Sequence, residues 1–279
     1  MVLSFRVIIF GSWDKTWMTA LNPESEVWLN LPMVKEVLVV PDTDVAHIST
    51  STNSNLVTVL LPLMEWHIVQ CPTNYLALIS SEKTIKTLWF KHELDNYLSN
   101  CFLSHLAPRA YKNIGEVSYP FILKRVDLNS GNGILLVKSA GEIPQYAKQE
   151  FWINKPVILQ EYIESNEEYV THLVCKNGEI LWHASLKFTL EDKQVIRSPF
   201  NVKRTERVAT REKFLDQFSS CLRPLNFNGP CNIDYKIAAN GDLKIMEINP
   251  RFGGTLMLKE STDLLQDALR TIFSAVSRI

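Results

Sequence analysis

Two carboxylates and an amide lie at a spacing that can hold a hard cation. Asn232-Ile233-Asp234 falls in one apolar run, and Glu247-Ile248-Asn249-Pro250-Arg251-Phe252-Gly253-Gly254 lies on and after the next. If Ala239-Asn240-Gly241-Asp242 turns a hairpin between them, Asp234 and Glu247 come close across an antiparallel pair. Asn249 then shares a face with Glu247, because side chains alternate along a strand. Three oxygen ligands from two rigid strands suit Mg2+, which also takes phosphate oxygens and water. Without a cation, the two carboxylates would repel each other. Arg251 adds a planar fork that fits phosphate on the same side.

Two more groups precede these in the chain. Lys124 ends a short apolar run, and the loop after it carries Ser130, Gly131 and Gly133. A loop with two glycines can lay backbone N–H groups against phosphate oxygens, and Lys124 can add a point charge to the same oxygens. No GxxxxGK[ST] occurs, so this is not a P-loop. Next comes Gln160-Glu161-Tyr162-Ile163, a strand that runs out into an extended segment whose free backbone groups can read the edge of an adenine. Glu168 follows seven residues after Glu161, and an ionised carboxylate can accept from both ribose hydroxyls. In chain order, these groups ask for ATP with Mg2+ or Mn2+.

The elements that must position them follow from pattern. Residues 5–10, 37–40 and 56–61 read as short buried strands, and a small parallel α/β unit over residues 1–78 accounts for them. Residues 81–104 have helical spacing with Ser81 as a cap, although the apolar positions form two offset sets. Strands are expected at 121–124 and 134–137 around the glycine loop, a helix over 140–152, and a strand at 157–160. Asn177-Gly178 and Asn240-Gly241 mark tight primed turns in two hairpins, 169–185 and 231–248. Helices are expected over 210–222 and 261–279.

Composition narrows the class. The chain of 279 residues is 46% apolar and carries 29 basic and 30 acidic side chains. That is ordinary globular composition. The near-neutral charge gives no footing for nucleic acid or an anionic membrane as a partner. Arg6 interrupts the first apolar run, which reads as a strand rather than a signal peptide. Five widely spaced cysteines without a CxxC fit a reduced, cytoplasmic protein. Trp13, Trp17 and Trp28 could cover a homodimer face, and core packing explains them equally well.

The motif order, ending in Met246-Glu247-Ile248-Asn249-Pro250-Arg251-Phe252-Gly253-Gly254, resembles the ATP-grasp superfamily of carboxylate–amine ligases over about residues 80–255. The resemblance implies an α/β fold of two α+β lobes clamping ATP, preceded by the small parallel α/β domain. The divisions become 1–78, a linker helix at 79–110, a small lobe with the glycine loop at 111–163, and a large lobe with the metal site at 164–279. It makes Lys83 the linker-helix lysine that reaches the phosphates, although Glu82 stands where the family usually has Asp. It also implies a phosphate role for Lys124 and Lys187, an adenine hinge over Gln160 to Ile163 with Glu161 or Gln160 facing the base, and a ribose role for Glu168 or, shifted by one, Glu167. Asp234, Glu247 and Asn249 become the magnesium ligands. Arg251, joined by Arg197 if that residue is not simply on the surface, would stabilise an acylphosphate. The implied substrates are a small-molecule carboxylate and an amine, such as an amino acid or short peptide.

Overall fold

A computed structural model describes residues 3–41, 55–128, 132–191, 197 and 201–277. Three parallel strands come first: β1 (Phe5–Phe10), β2 (Val34–Val40) and β3 (Val57–Pro62), in the order β2-β1-β3. Every residue of β1 is buried, as befits a central parallel strand covered on both faces. The one charge in it, Arg6, is neutralised by Glu36 on β2, with Nε 2.6 Å from Oε2. Helix α1 (Lys15–Ala20) follows β1, its first turn capped by the Asp14 carboxylate, and α2 (Glu65–Val69) follows β3.

Residues 82–100 form two helices rather than one. In α3 (Glu82–Trp89), the Ser81 hydroxyl accepts from the Thr84 N–H. Phe90 then turns extended, at φ −83° and ψ 121°, and α4 (Lys91–Asn100) starts a new axis. The offset apolar sets reflect this break.

A four-stranded antiparallel sheet follows, in the order β4-β7-β5-β6. Its strands are β4 (Ala110–Tyr111), β5 (Phe121–Arg125), β6 (Ile134–Val137) and β7 (Val157–Glu161). The helix expected over 140–152 is only a 3-10 turn and the short α5 (Ile143–Ala147). Residues 148–151 are exposed, so no apolar stripe sustains a longer helix.

The second antiparallel sheet has five strands in the order β10-β9-β8-β11-β12. They are β8 (Glu167–Lys176), β9 (Glu179–Leu190), β10 (Val202–Val208), β11 (Gly229–Ile237) and β12 (Leu243–Asn249). Asn177 (φ 51°) and Gly178 (φ 77°) are both left-handed, the primed turn expected at that hairpin. The other hairpin differs. Only Gly241 is left-handed there (φ 84°), and its N–H donates to Ala238 O at 2.8 Å, so the loop is one residue longer than a two-residue turn. Helix α6 (Glu212–Leu222) covers one face of this sheet, burying Phe214, Phe218 and Leu222 with Cys231, Ile233 and Tyr235.

Helix α7 (Thr262–Val276) returns to the parallel sheet. Phe5, Val7, Ile9, Val59 and Leu61 share one core with Phe252, Leu256, Leu269, Ile272 and Phe273, and the Phe5 and Phe273 rings stack at 5.3 Å. Trp17 and Trp28 belong to this core, 3% and 8% exposed, so core packing rather than a dimer face explains them. Trp13 is 47% exposed. Among the described residues, no helix is long and apolar enough to cross a membrane, and all five cysteines are free thiols.

Candidate active site

The β11–β12 ladder sets Asp234 directly opposite Glu247, and Asn232 opposite Asn249. Alternation puts all four on the face away from α6. A register shift next to Asp234 leaves Met246 as an extra residue on β12, which lets Met246 and Glu247 both turn toward the same pocket. The Asp234 carboxylate is densely held. Arg197 Nη2 donates to its Oδ1 at 2.9 Å, and Asn232 and Asn249 donate to its Oδ2 at 2.9 and 3.2 Å. Burial and the neighbouring Asp234 charge hold the Glu247 carboxyl above the usual range, against the pull of Lys124, Lys91 and Arg251.

Arg197 lies over the Phe188 ring at 4.3 Å and also pairs with Glu168 at 3.4 Å. Glu168 alternates on β8 with Val170 and His172, which oppose Asp234 and Asn232. Glu168 therefore shares the Asp234 face. Glu167 points to the other face, where it accepts from the Tyr169 hydroxyl at 2.6 Å.

On the four-stranded sheet, Lys124 opposes Ile158 and Ile122 opposes Gln160, so Lys124 and Gln160 share a face. Both line a narrow pocket with Lys91, Asp95, Met246 and Glu247, about 430 Å³ of atom-free space including its open mouth. The Gln160 Oε1 is buried there without a partner among the described residues. Glu161 opposes Phe121 on the far face and accepts from the Arg109 N–H at 3.0 Å. Between the two residues offered for the adenine edge, only Gln160 faces the pocket. Tyr162 is half-buried and Ile163 is buried.

Two lysines expected at the phosphates do not line this pocket. Lys83 is exposed in the first turn of α3 and does not line the pocket. Lys187 opposes Tyr169, which puts it on the sheet face opposite to Asp234, paired with Glu167 and Glu206 at 3.3 and 3.1 Å. Ser130 and Gly131 fall outside the described residues. Gly133 is left-handed (φ 69°), and a Cβ there would crowd Arg125 and Leu128. Arg251 pairs with Glu65 and donates to Phe252 O.

Three residues emerge only from the fold. Lys91 donates from Nζ to Leu128 O at 2.7 Å, and burial beside Lys124 lowers its ammonium pKa. Asp95, one turn on, is raised by burial and faces Lys124. With Leu94 and Leu98 they form one stripe of α4, and a Lys and an Asp at helical spacing within an apolar stripe are the signal that marks them. Glu65 has no local signal.

The donor set suits a hard divalent cation. It comprises two opposed carboxylates, one of them hard to ionise, and an Asn249 amide whose Oδ1 has no partner among the described residues. The ATP-grasp domain family matches residues 93–255, more than half of the chain. The chain belongs to the ATP-grasp family. D-alanine–D-alanine ligase from Bacillus anthracis shares this ATP-grasp fold with a TM-score of 0.69 at 14% identity, over 99% of this chain and 98% of that one. N5-carboxyaminoimidazole synthase from Aspergillus clavatus, solved with ADP and 5-aminoimidazole ribonucleotide, gives 0.64 at 16% identity, over 98% and 78%. Multifunctional protein URA2 of Saccharomyces cerevisiae is 24% identical over 144 residues, 49% of this chain. The chain spans only 6% of that relative.

Proposed function

We propose that this ATP-grasp protein is an ATP-dependent ligase that joins a small-molecule carboxylate to an amine through an acylphosphate, with ADP and phosphate as products. The observation that carries the reading is the opposed Asp234–Glu247 pair, whose Glu247 lines a pocket together with Lys91 and Lys124. Two of the structural neighbours are named as ligase and synthase, which supports the reaction class.

In this reading, adenine lies along β7 and its 6-amino group donates to the unpaired Gln160 Oε1. Ile163 and Met246 pack on the base, and Glu168 takes the ribose hydroxyls after releasing Arg197. Lys91 and Lys124 neutralise phosphate oxygens, and Ser130, Gly131 and Gly133 are the loop residues expected to donate to them. Asp234, Glu247 and Asn249 would hold Mg2+, which screens the phosphate charges when bound. A substrate carboxylate oxygen takes the γ-phosphoryl group as the bond to ADP breaks. The amine then attacks the carbonyl carbon, phosphate leaves, and the amine gives up a proton. Arg251 and a displaced Arg197 stabilise the negative oxygens of these steps. The divisions 1–78, 79–110, 111–163 and 164–279 serve as the working domain plan, and the free thiols suit a reducing, cytoplasmic setting.

A coupled assay of ADP and phosphate release, run across pairs of amino acids and small carboxylates, tests this. Stoichiometric ADP, phosphate and amide are expected. A phosphorylated product without free phosphate would make the protein a phosphotransferase, and nucleotide binding without turnover would make it a binding partner.

A further inference from the structure

Arg251 is held in place by the opposite end of the chain. Its Nε lies 2.9 Å from Oε1 of Glu65, a carboxylate only 2% exposed that begins α2 just past the carboxyl end of β3. The Nε–H does not point along that line, so charge rather than a linear hydrogen bond joins the two. Nη1 donates to Phe252 O at 2.8 Å, and the guanidinium lies 5.9 Å from the ring of Trp17, on the helix that follows β1. Nη2 has no partner among the described residues and is not buried.

A carboxylate this buried is costly unless a cation answers it, and removing one partner of such a pair leaves the other charge uncompensated. Arg251 is the cation that answers Glu65. Glu65 takes the Nε position and Phe252 O takes Nη1, which leaves Nη2 as the free donor, and the Arg251 charge acts on Glu247. An arginine with five donors and a flexible stem would otherwise have many orientations open to it.

We propose that Glu65 is a positioning residue. It fixes Arg251 so that the free Nη2 meets the transferred phosphoryl group, and so makes the parallel sheet part of the phosphate site. This rests on the nucleotide reading above, and the experiment separates the two.

Calorimetry on the full chain measures MgADP binding first, then inorganic phosphate binding to the MgADP complex. Glu65→Gln should leave MgADP affinity within about twofold and weaken phosphate at least about tenfold, the equivalent of about 1.4 kcal/mol. Arg251→Met should lose phosphate to the same extent, and Glu65→Gln should add nothing in that background. Glu65→Asp keeps the charge with a shorter reach and should recover part of the affinity. Unfolding midpoints score stability separately. If Glu65→Gln does not fold, Glu65→Asp decides, with a loss of threefold or more expected. Unchanged phosphate affinity in the folded Glu65 variants overturns the proposal. So does a further loss on top of Arg251→Met, or a wild-type MgADP complex that takes no phosphate. Wild-type protein that does not bind MgADP overturns the nucleotide reading itself.

Discussion

Asp234 and Glu247 are register partners on adjacent strands, and the Asp234 charge makes a second negative charge on Glu247 harder to bear. Glu247→Gln keeps the shape and removes one of the charges. ATP turnover should fall at least about a hundredfold, the scale on which losing a single electrostatic stabiliser slows an enzyme. The unfolding midpoint should hold or rise, because a repulsion is relieved. ADP release and thermal melting check both, and a folded variant with near-normal turnover removes the metal role.

Lys91 and Lys83 are expected to separate cleanly. Lys91 lines the pocket beside Lys124, whereas Lys83 is in solvent. Lys91→Met should weaken MgADP tenfold or more, since a hydrogen bond to a charged group contributes about 1.5–3 kcal/mol. Lys83→Met should leave binding unchanged. Equal losses in the two variants would restore Lys83 to the phosphate site.

Gln160 offers an acceptor with no partner among the described residues, which the proposed reading gives to the adenine amino group. Gln160→Leu fills the same space without it. Nucleotide affinity should fall a few-fold to about tenfold, and the preference for ATP over GTP should narrow, since guanine presents an oxygen at that position. Competition binding with the two diphosphates reads this directly.

Gly253 is a glycine for steric reasons, not for its backbone. Its φ is −86°, but a Cβ would collide with the His172 ring and press on Asn232. Gly253→Ala should cost about 1–3 kcal/mol. Because the two sites touch, His172→Ala should be less harmful in the Gly253→Ala background than alone. Urea unfolding of the four proteins measures the coupling.

His172 also gives the fold a pH dependence. Burial, with Arg197 nearby, pushes its imidazole down to about 3, so the folded protein keeps it neutral while the unfolded chain takes a proton near the ordinary value of 6.5. Its stabilisation is complete above about pH 6.5 and falls by about 1.4 kcal/mol per pH unit as the pH drops toward 3. Unfolding free energies at pH 7 and pH 5 should differ less for His172→Gln than for wild type. The same difference in both proteins would contradict this.

The parts of the site that were legible in sequence are those set by local periodicity. Asp234, Glu247 and Asn249 came from strand alternation around one turn, and that pairing survives a loop one residue longer than expected. Lys187 marks where local pattern gives out. Its face depends on the pairing of β9 with β8 over ten residues, and the residue type alone does not carry that register. Lys83 is implied by the resemblance to the family's linker-helix lysine, whereas Lys91 stands just past the break at Phe90, which a continuous helical pattern hides. Glu65 reaches Arg251 only through tertiary packing, which no window of sequence contains.

The core shared by β1 and α7 has a kinetic consequence. Phe5 leaves the ribosome long before Phe273, so during synthesis the parallel sheet packs only against nearby residues such as Trp17 and Trp28, and the part of its core that residues 252–276 fill stays open until they follow. Contacts this distant in sequence close slowly, and apolar strands waiting for them are exposed to aggregation. A chain stopped just after Gly254 would retain the candidate nucleotide and metal residues, yet it would leave unfilled the part of that core that Leu256, Leu269, Ile272 and Phe273 occupy. Such a fragment should therefore collect in the insoluble fraction rather than accumulate as a smaller working enzyme.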